Sequence, residues 1–351
     1  VQALDIKPLG LITPETRFHP APIAVLRAGM GANFEIYLGV KTAGGRRYIL
    51  YKSRDYDLTA ERRQFLIEQR IKTLYVTEED LHSYYGYVEQ TVGKFIASEV
   101  TPVEEKSQII YQATSSLMEH LFERPESPIL LRSNQKMVEH TIQFLASDTR
   151  LLRSIASMFV LDYSLYHHSV NVATISIGTA LAMGYRTGHE LEQLGYGFLF
   201  HDIGKNRVPE RILRKPGVLT PTEMTEMSQH PHYGVLTMRN YESIEPRALD
   251  IIHHHHEKIT GRGYPEHLTG AEISLPVRMC TVADIFDALT SNRSYKRAMT
   301  GFEALNLMRD KMKNELDSDC LLALISLLGP ARHSMSLLAS NQSKPPQLLP
   351  I

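Results

Sequence analysis

Cysteine is nearly missing: Cys280 and Cys320 are the two copies in 351 residues. A disulfide framework is therefore excluded as the source of stability, and a reducing, cytoplasmic setting is expected. An excess of charge of one sign is missing as well. The 38 Lys and Arg against 39 Asp and Glu leave a net charge of −1. Such a balance supplies no general attraction to a nucleic-acid polymer or an anionic membrane surface. There is no apolar run of about 18 residues and no charged-then-apolar leader, so the chain reads as soluble, without membrane insertion. What is present is an ordinary apolar fraction of 43%, enough for a sizeable core, and a length that allows two domains.

Histidine is the outlier, with 16 copies. His230 and His232 share one short window, and His253 to His256 form an unbroken run. The run is internal and framed by apolar residues and Glu257, unlike an expression tag.

Along the chain, residues 1–100 read as a small α/β domain. Phe34 to Val40 alternates, Gly44 and Gly45 mark a turn, and Arg47 to Lys52 gives the second strand of a hairpin. Thr59 caps a helix over Ala60 to Gln69, and Thr73 to Val76 favours a strand. This part reads as a sensory or docking unit without chemistry. Its Arg46, Arg47, Lys52 and Arg54 read as a solvated face. Residues 101–159 read as a helical linker, with helices over 103–124 and 134–160 broken at RPESP (124–128). These helices are expected to join the domains and to offer a pairing surface for a second copy, with a signalling protein as a further partner. Residues 160–335 carry helical signals only, and 336–351 read as a frayed tail.

Five patches of metal-type ligands fall in the helical part. LYHHSVNVA (165–173) places one of His167 and His168 on a buried face. HDIGK (201–205) sets His201 beside Asp202, whose two oxygens can bridge two cations, with Lys205 on the same helical face. Thr220, Pro221 and Glu223 form a capping box whose helix ends near His230-Pro231. In HHHHEKITGRGYP (253–265), at most two or three of the four histidines can share a site. Gly261 and Gly263 allow a tight turn there. In VADIFDALTSNRSYKRA (282–298), Asp284 lies in an apolar stretch and needs a partner, while Arg293 and Lys296 can clamp a phosphate. Each patch alone reads as ordinary helix ends, core histidines or solvated charge. Together they form an ordered series of His, His-Asp, His, His-His and Asp. Imidazoles with a bridging carboxylate suit Fe, Mn or Zn rather than the all-oxygen shells of Ca or Mg. The set exceeds what one tetrahedral zinc needs, which favours two ions.

HSVNVA (168–173), HDIGK (201–205), HP (230–231), HHE with GRGYP (255–265) and VADIFDALTSNRSYKRA (282–298) together resemble the HD-GYP domain family of the HD phosphohydrolase superfamily. The resemblance covers about half the chain and implies a mainly α fold, here preceded by the small α/β domain. It implies a metal-dependent phosphodiesterase that opens cyclic di-GMP to linear pGpG and then GMP, with a hydroxide shared between the ions as the attacking group. It implies His168, His201, Asp202, His230, His255, His256 and Asp284 as ligands of two divalent ions, Fe or Mn first, Ni or Zn next. Asp202 is the implied bridge, and Lys205 lies beside the attacked phosphate. Arg293 and Lys296 are implied phosphate contacts, with Gly263, Tyr264 and Pro265 as part of the substrate wall. Three-metal members carry a Glu where this chain has Ser164, so two metals and a product of pGpG are expected. Thr260 and Ser294 also depart from the common pattern. Two other readings are a cyclic di-GMP sensor of weak activity and a hydrolase of another cyclic dinucleotide.

Overall fold

A computed structural model describes residues 16–43, 45–147, 151–157, 159, 164–292 and 297–328. The first half begins with strands β1 (Phe18–Pro22), β2 (Ile36–Thr42) and β3 (Gly45–Lys52), then helix α1 (Ala60–Glu68) and strand β4 (Thr73–Thr77). The strands form one antiparallel sheet in the order β1-β4-β2-β3. The expected hairpin is β2–β3, with Thr42 opposite Gly45. Thr59 caps α1 as its residue type predicts, its side chain accepting from Arg62 N–H. Strand β1 and the next helix, α2 (Leu81–Ala97), were not anticipated. FHPAP alternates only weakly, and its two prolines depress strand propensity. They fit here because β1 is an edge strand.

Helices α3 (Val103–Glu123) and α4 (Pro128–Ser147) flank the RPESP break. The second begins six residues earlier than expected, because Pro128 starts the helix rather than ending the loop; proline's fixed φ suits a first turn. It ends at Ser147, and α5 (Leu151–Ala156) follows as a separate piece, so the single expected helix over 134–160 is not formed.

The remaining helices are α6 (Leu165–Ala182), α7 (His189–Phe200), α8 (Glu210–Leu213), α9 (Pro221–Met227), α10 (His230–Met238), α11 (Pro246–His254), α12 (Leu275–Thr290), α13 (Gly301–Lys311) and α14 (Ser318–Leu328). Helix α6 lies at the centre, against α3, α7 and α12, and α7 packs on α11. Its residues 168–180 are buried all round, which is why the run HSVNVATISIGTA shows no polar face. Gly195 and Gly197 let α7 approach its neighbours: a Cβ on Gly197 would sit 2.8 Å from Ile251 Cδ1 on α11. Among the described residues no helix is long and apolar enough to cross a membrane.

Candidate metal centre

Four of the five imidazoles in the centre, all but His256, are aimed by a hydrogen bond on the far side. His201 Nδ1 donates to Phe198 O (2.8 Å), His230 Nδ1 to Met227 O (2.8 Å) and His255 Nδ1 to Ile252 O (3.0 Å). In all three the acceptor is the carbonyl three residues back, available because a helix is ending or restarting there. His168 Nδ1 donates instead to Asp287 Oδ2 at 2.7 Å. With Nδ1 occupied, each Nε2 carries a lone pair, and all four turn inward. His168 and His201 bring their Nε2 atoms to 3.4 Å, and His230 and His255 bring theirs to 3.2 Å. Two lone pairs at that distance repel unless a cation lies between them.

Asp202 sits between the two pairs. Its Oδ1 lies 3.1 Å from His230 Nε2 and 3.6 Å from His255 Nε2. Its Oδ2 lies 3.4 Å from His168 Nε2 and 3.6 Å from His201 Nε2. The two potential ligand groups, His168-His201-Asp202 and Asp202-His230-His255-His256, therefore share this one carboxylate. Asp284 closes the rim, with Oδ1 3.1 Å from His168 Nε2 and Oδ2 3.6 Å from His256 Nδ1.

Two chain features create this convergence. The helix over 189–200 ends before Asp202, and a short 3₁₀ helix, Ile203–Arg207, carries the chain onward. Contrary to expectation, Lys205 is therefore not on one continuous α-helical face with His201. The tighter winding puts its Nζ 2.5 Å from Asp202 Oδ2. Gly204 then presses against α10: a Cβ there would lie 2.0 Å from His230 O and 2.4 Å from Gly234 N. Only glycine permits this approach, which carries Asp202 to His230. His230 also differs from expectation, since it opens α10 instead of ending α9. The capping box at Thr220 and Glu223 does start α9, but that helix stops at Met227, and Pro231 is tolerated in the first turn of the next.

Burial and the mutual contacts of these groups set the protonation of the centre. Burial pushes His201 down to about 3 and His230 down to about 4, and holds His256 well below the ordinary histidine value. Burial alone would raise Asp202, but Lys205, His201, His168 and His230 outweigh it and hold the carboxyl below its usual range. Asp284 is likewise held low by His168, His256 and His201 against the effect of burial. Neutral imidazoles and ionised carboxylates are the ligand forms of these groups. The donor set, with its facing lone pairs and a central carboxylate, fits divalent metal ions.

Beside the centre lies a cleft of about 1230 Å³. Lys205, His230, His256 and Tyr264 line it next to the centre, with Asn292 and Ser164 beside them and Glu119 and Phe122 of α3 on its border. Gly261 takes the left-handed conformation (φ 73°) at the expected tight turn. Gly263 passes so close to the chain before it that a Cβ would lie 2.4 Å from Glu257 Cα. Tyr264 follows, its ring 4.7 Å from that of His256, and Pro265 completes the turn. Arg293 and Lys296 lie outside the described residues. Of the four-histidine run, His255 and His256 face the centre, while His253 and His254 face Glu266 on the other side.

Two residues were missed. Asp287 holds His168 with one oxygen and accepts from Asn171 Nδ2 at 2.7 Å with the other. Its signal was the i,i+3 pair Asp284 and Asp287, which stacks two carboxylates on one face of α12. Glu257 is buried and accepts Glu266 N–H (2.6 Å) and Leu268 N–H (3.1 Å), holding the loop after the Tyr264 turn. Ser164, at the departure from three-metal relatives, caps α6 and accepts from His167 N–H.

Residues 132–320 match the family model described as HD domain. The chain is 36% identical over 179 residues to the cyclic di-GMP phosphodiesterase PA4108 of Pseudomonas aeruginosa, an alignment covering 51% of this chain and 42% of that protein. It is 42% identical over 127 residues to the cyclic di-GMP phosphodiesterase response regulator RpfG of Xanthomonas campestris, covering 36% of this chain and 33% of that one. A 3'3'-cGAMP-specific phosphodiesterase of Vibrio cholerae is 40% identical over 126 residues, covering 36% of this chain and 27% of that one. The chain thus spans less than half the length of these curated relatives. A solved structure of an HDG"Y"P protein from Bdellovibrio bacteriovorus superposes with a TM-score of 0.68 at 20% identity, over 90% of this chain and 100% of that one, which establishes a shared fold.

Proposed function

Because the chain belongs to the HD domain family, we propose that it is a metal-dependent phosphodiesterase acting on cyclic di-GMP. The observation that carries this reading is the sharing of Asp202 between two histidine pairs. That arrangement fits two divalent ions, held by His168, His201 and Asp284 on one side and by His230, His255 and His256 on the other, with Fe or Mn best suited to the mixed donors. Two such ions would supply an activated water and charge stabilisation at phosphoryl oxygens.

The protein's own residues do the rest. Lys205, which reaches both Asp202 and the cleft, offers its ammonium to a non-bridging phosphoryl oxygen as charge builds there. Tyr264 packs at a tilt against His256 at the cleft wall and offers an aromatic surface to a purine. Arg293 and Lys296 would add phosphate contacts from the segment after α12. Cleavage of one phosphodiester opens the ring to pGpG. Ser164, which offers a hydroxyl engaged in capping and no carboxylate, supports a two-ion centre and release at that stage.

A second reading keeps the chemistry and changes the bases, since several relatives are named 3'3'-cGAMP-specific phosphodiesterases. Parallel turnover assays on cyclic di-GMP and 3'3'-cGAMP separate the two. For the rest of the chain we assign 1–100 to regulation and 101–159 to coupling and self-association, with 160–335 as the catalytic unit. Asp202→Ala is the direct test. Metal content should fall by the ions the bridge holds, and cyclic di-GMP hydrolysis should disappear. Hydrolysis at the wild-type rate would remove Asp202 from the bridge.

A further inference from the structure

We propose that His253, His254 and Glu266 form a separate, peripheral site for one transition-metal ion of the zinc type. The site lies on the opposite side of the four-histidine run from the Asp202 centre. His254 Nδ1 donates to Asp250 Oδ1 at 2.8 Å, and Asp250 is itself held by Ser274 Oγ, which donates to Oδ2 at 2.7 Å. This fixes the ring so that Nε2 points at Glu266 Oε2, 3.5 Å away. That Nε2 is buried and makes no hydrogen bond, although it is aimed at the carboxylate. His253 Nε2 approaches the second oxygen, Glu266 Oε1, at 3.6 Å. One ligand atom from each of the three residues fits within a common 4.8 Å span.

These separations have the size a metal needs. Bonds of about 2.0–2.2 Å in tetrahedral geometry set neighbouring donors roughly 3.3–3.6 Å apart. The carboxylate behind His254 is the outer contact that ligating histidines characteristically have, here Asp250. Glu266 is exposed and both histidines are part-buried, which leaves an open coordination position for water. His232 is exposed with its ring 6.4 Å from that of His253, within reach as a fourth donor.

The site has a consequence for the cleft. Glu266 follows Gly263, Tyr264 and Pro265 directly, and its N–H donates to Glu257. An ion joining Glu266 to His253 and His254 ties the loop after the Tyr264 turn to the end of α11, where His255 and His256 begin. Zinc would thus restrain the cleft wall without entering the Asp202 centre, and the assignment does not depend on which nucleotide that centre cleaves.

The test is equilibrium dialysis of the full chain at micromolar free Zn²⁺, with bound metal counted by mass spectrometry. His254→Gln and Glu266→Gln are run beside wild type, each checked for folding by circular dichroism. The same comparison is repeated in an Asp202→Ala background, so that failure of the central centre is read separately. Wild type should retain one Zn²⁺ per chain more than either variant, in both backgrounds. Zinc should also slow amide exchange at Glu266 and Leu268 in wild type and leave it unchanged in Glu266→Gln. Equal zinc counts would overturn the site, as would an extra ion that binds only at millimolar zinc, which would mark a hydrogen-bonded histidine cluster and nothing more.

Discussion

At Asp287 one oxygen accepts a hydrogen bond from His168 Nδ1–H and the other accepts one from Asn171 Nδ2–H. The residue touches neither the cleft nor the other imidazoles, yet it decides which nitrogen of His168 is available and where it points. Replacing it with Asn keeps the shape but presents one oxygen and one amide donor, and His168 then loses its orienting anion. Outer partners of this kind are worth about 10–100-fold in metal affinity. Asp287→Asn should weaken metal binding by that order while thermal stability without metal changes little, measured by competition with a chelator of known affinity. Unchanged affinity would mean that backbone packing alone orients His168.

The ligands were visible in the sequence as residue types, because five patches of His and Asp recur in order between residues 168 and 284. Their roles were harder to see. Nothing in HHHH separates the inward pair from the outward pair, since the separation depends on α11 ending at His254. Lys205 could be placed near the centre, but its contact with Asp202 follows from a change to 3₁₀ winding that the apolar spacing does not encode.

Element boundaries matter most where a cap stands in for a ligand. Ser164 begins α6 with extended backbone (φ −137°, ψ 154°), and its hydroxyl accepts from His167 N–H. It fixes the entry of the helix that carries His168 one turn later. Ser164→Ala should cost about 1 kcal/mol of stability, the usual value of a lost N-cap, and leave the number of bound ions unchanged. Calorimetry together with metal counting checks both halves. A loss of metal equal to one ion would show that Ser164 is part of the centre, against the two-ion reading. The strands follow the same logic of local signals and context. The β2–β3 hairpin and the Thr59 cap were legible because turn glycines and cap hydroxyls act over four residues. Strand β1 was not, because its place depends on pairing with β4 some 55 residues later, from Phe18 opposite Thr77 to Pro22 opposite Thr73.

At the scale of the whole molecule, the sheet and the helical part meet along α3, which packs on β1 at one side and on α6 at the other. His120 of α3 is buried in that seam, with Tyr85 Oη 3.2 Å from its Nδ1 and the rings of His19, Tyr84 and Tyr85 around it. Arg124, His19, Glu78 and Glu123 are the charged or titratable groups nearby, and Arg124 pairs with Glu78. Burial, with His19 and Arg124 adding to it, pushes His120 down to about 3 from 6.5. The folded seam therefore keeps the ring neutral, while the unfolded chain protonates it near 6.5. Its contribution is fully present above that pH and is lost as pH falls towards 3, because acid favours the state that binds the proton. Urea midpoints should drop through this window, and His120→Asn should flatten the drop while lowering stability at neutral pH through lost packing. If the acid dependence of the variant matched wild type, the pH response of the seam would have to come from the carboxylates around Arg124 instead. The same seam borders the cleft, since Glu119 and Phe122 of α3 line it. Loosening it with acid should therefore weaken substrate binding before the chain unfolds, visible as a rise in KM at pH values where circular dichroism is still native.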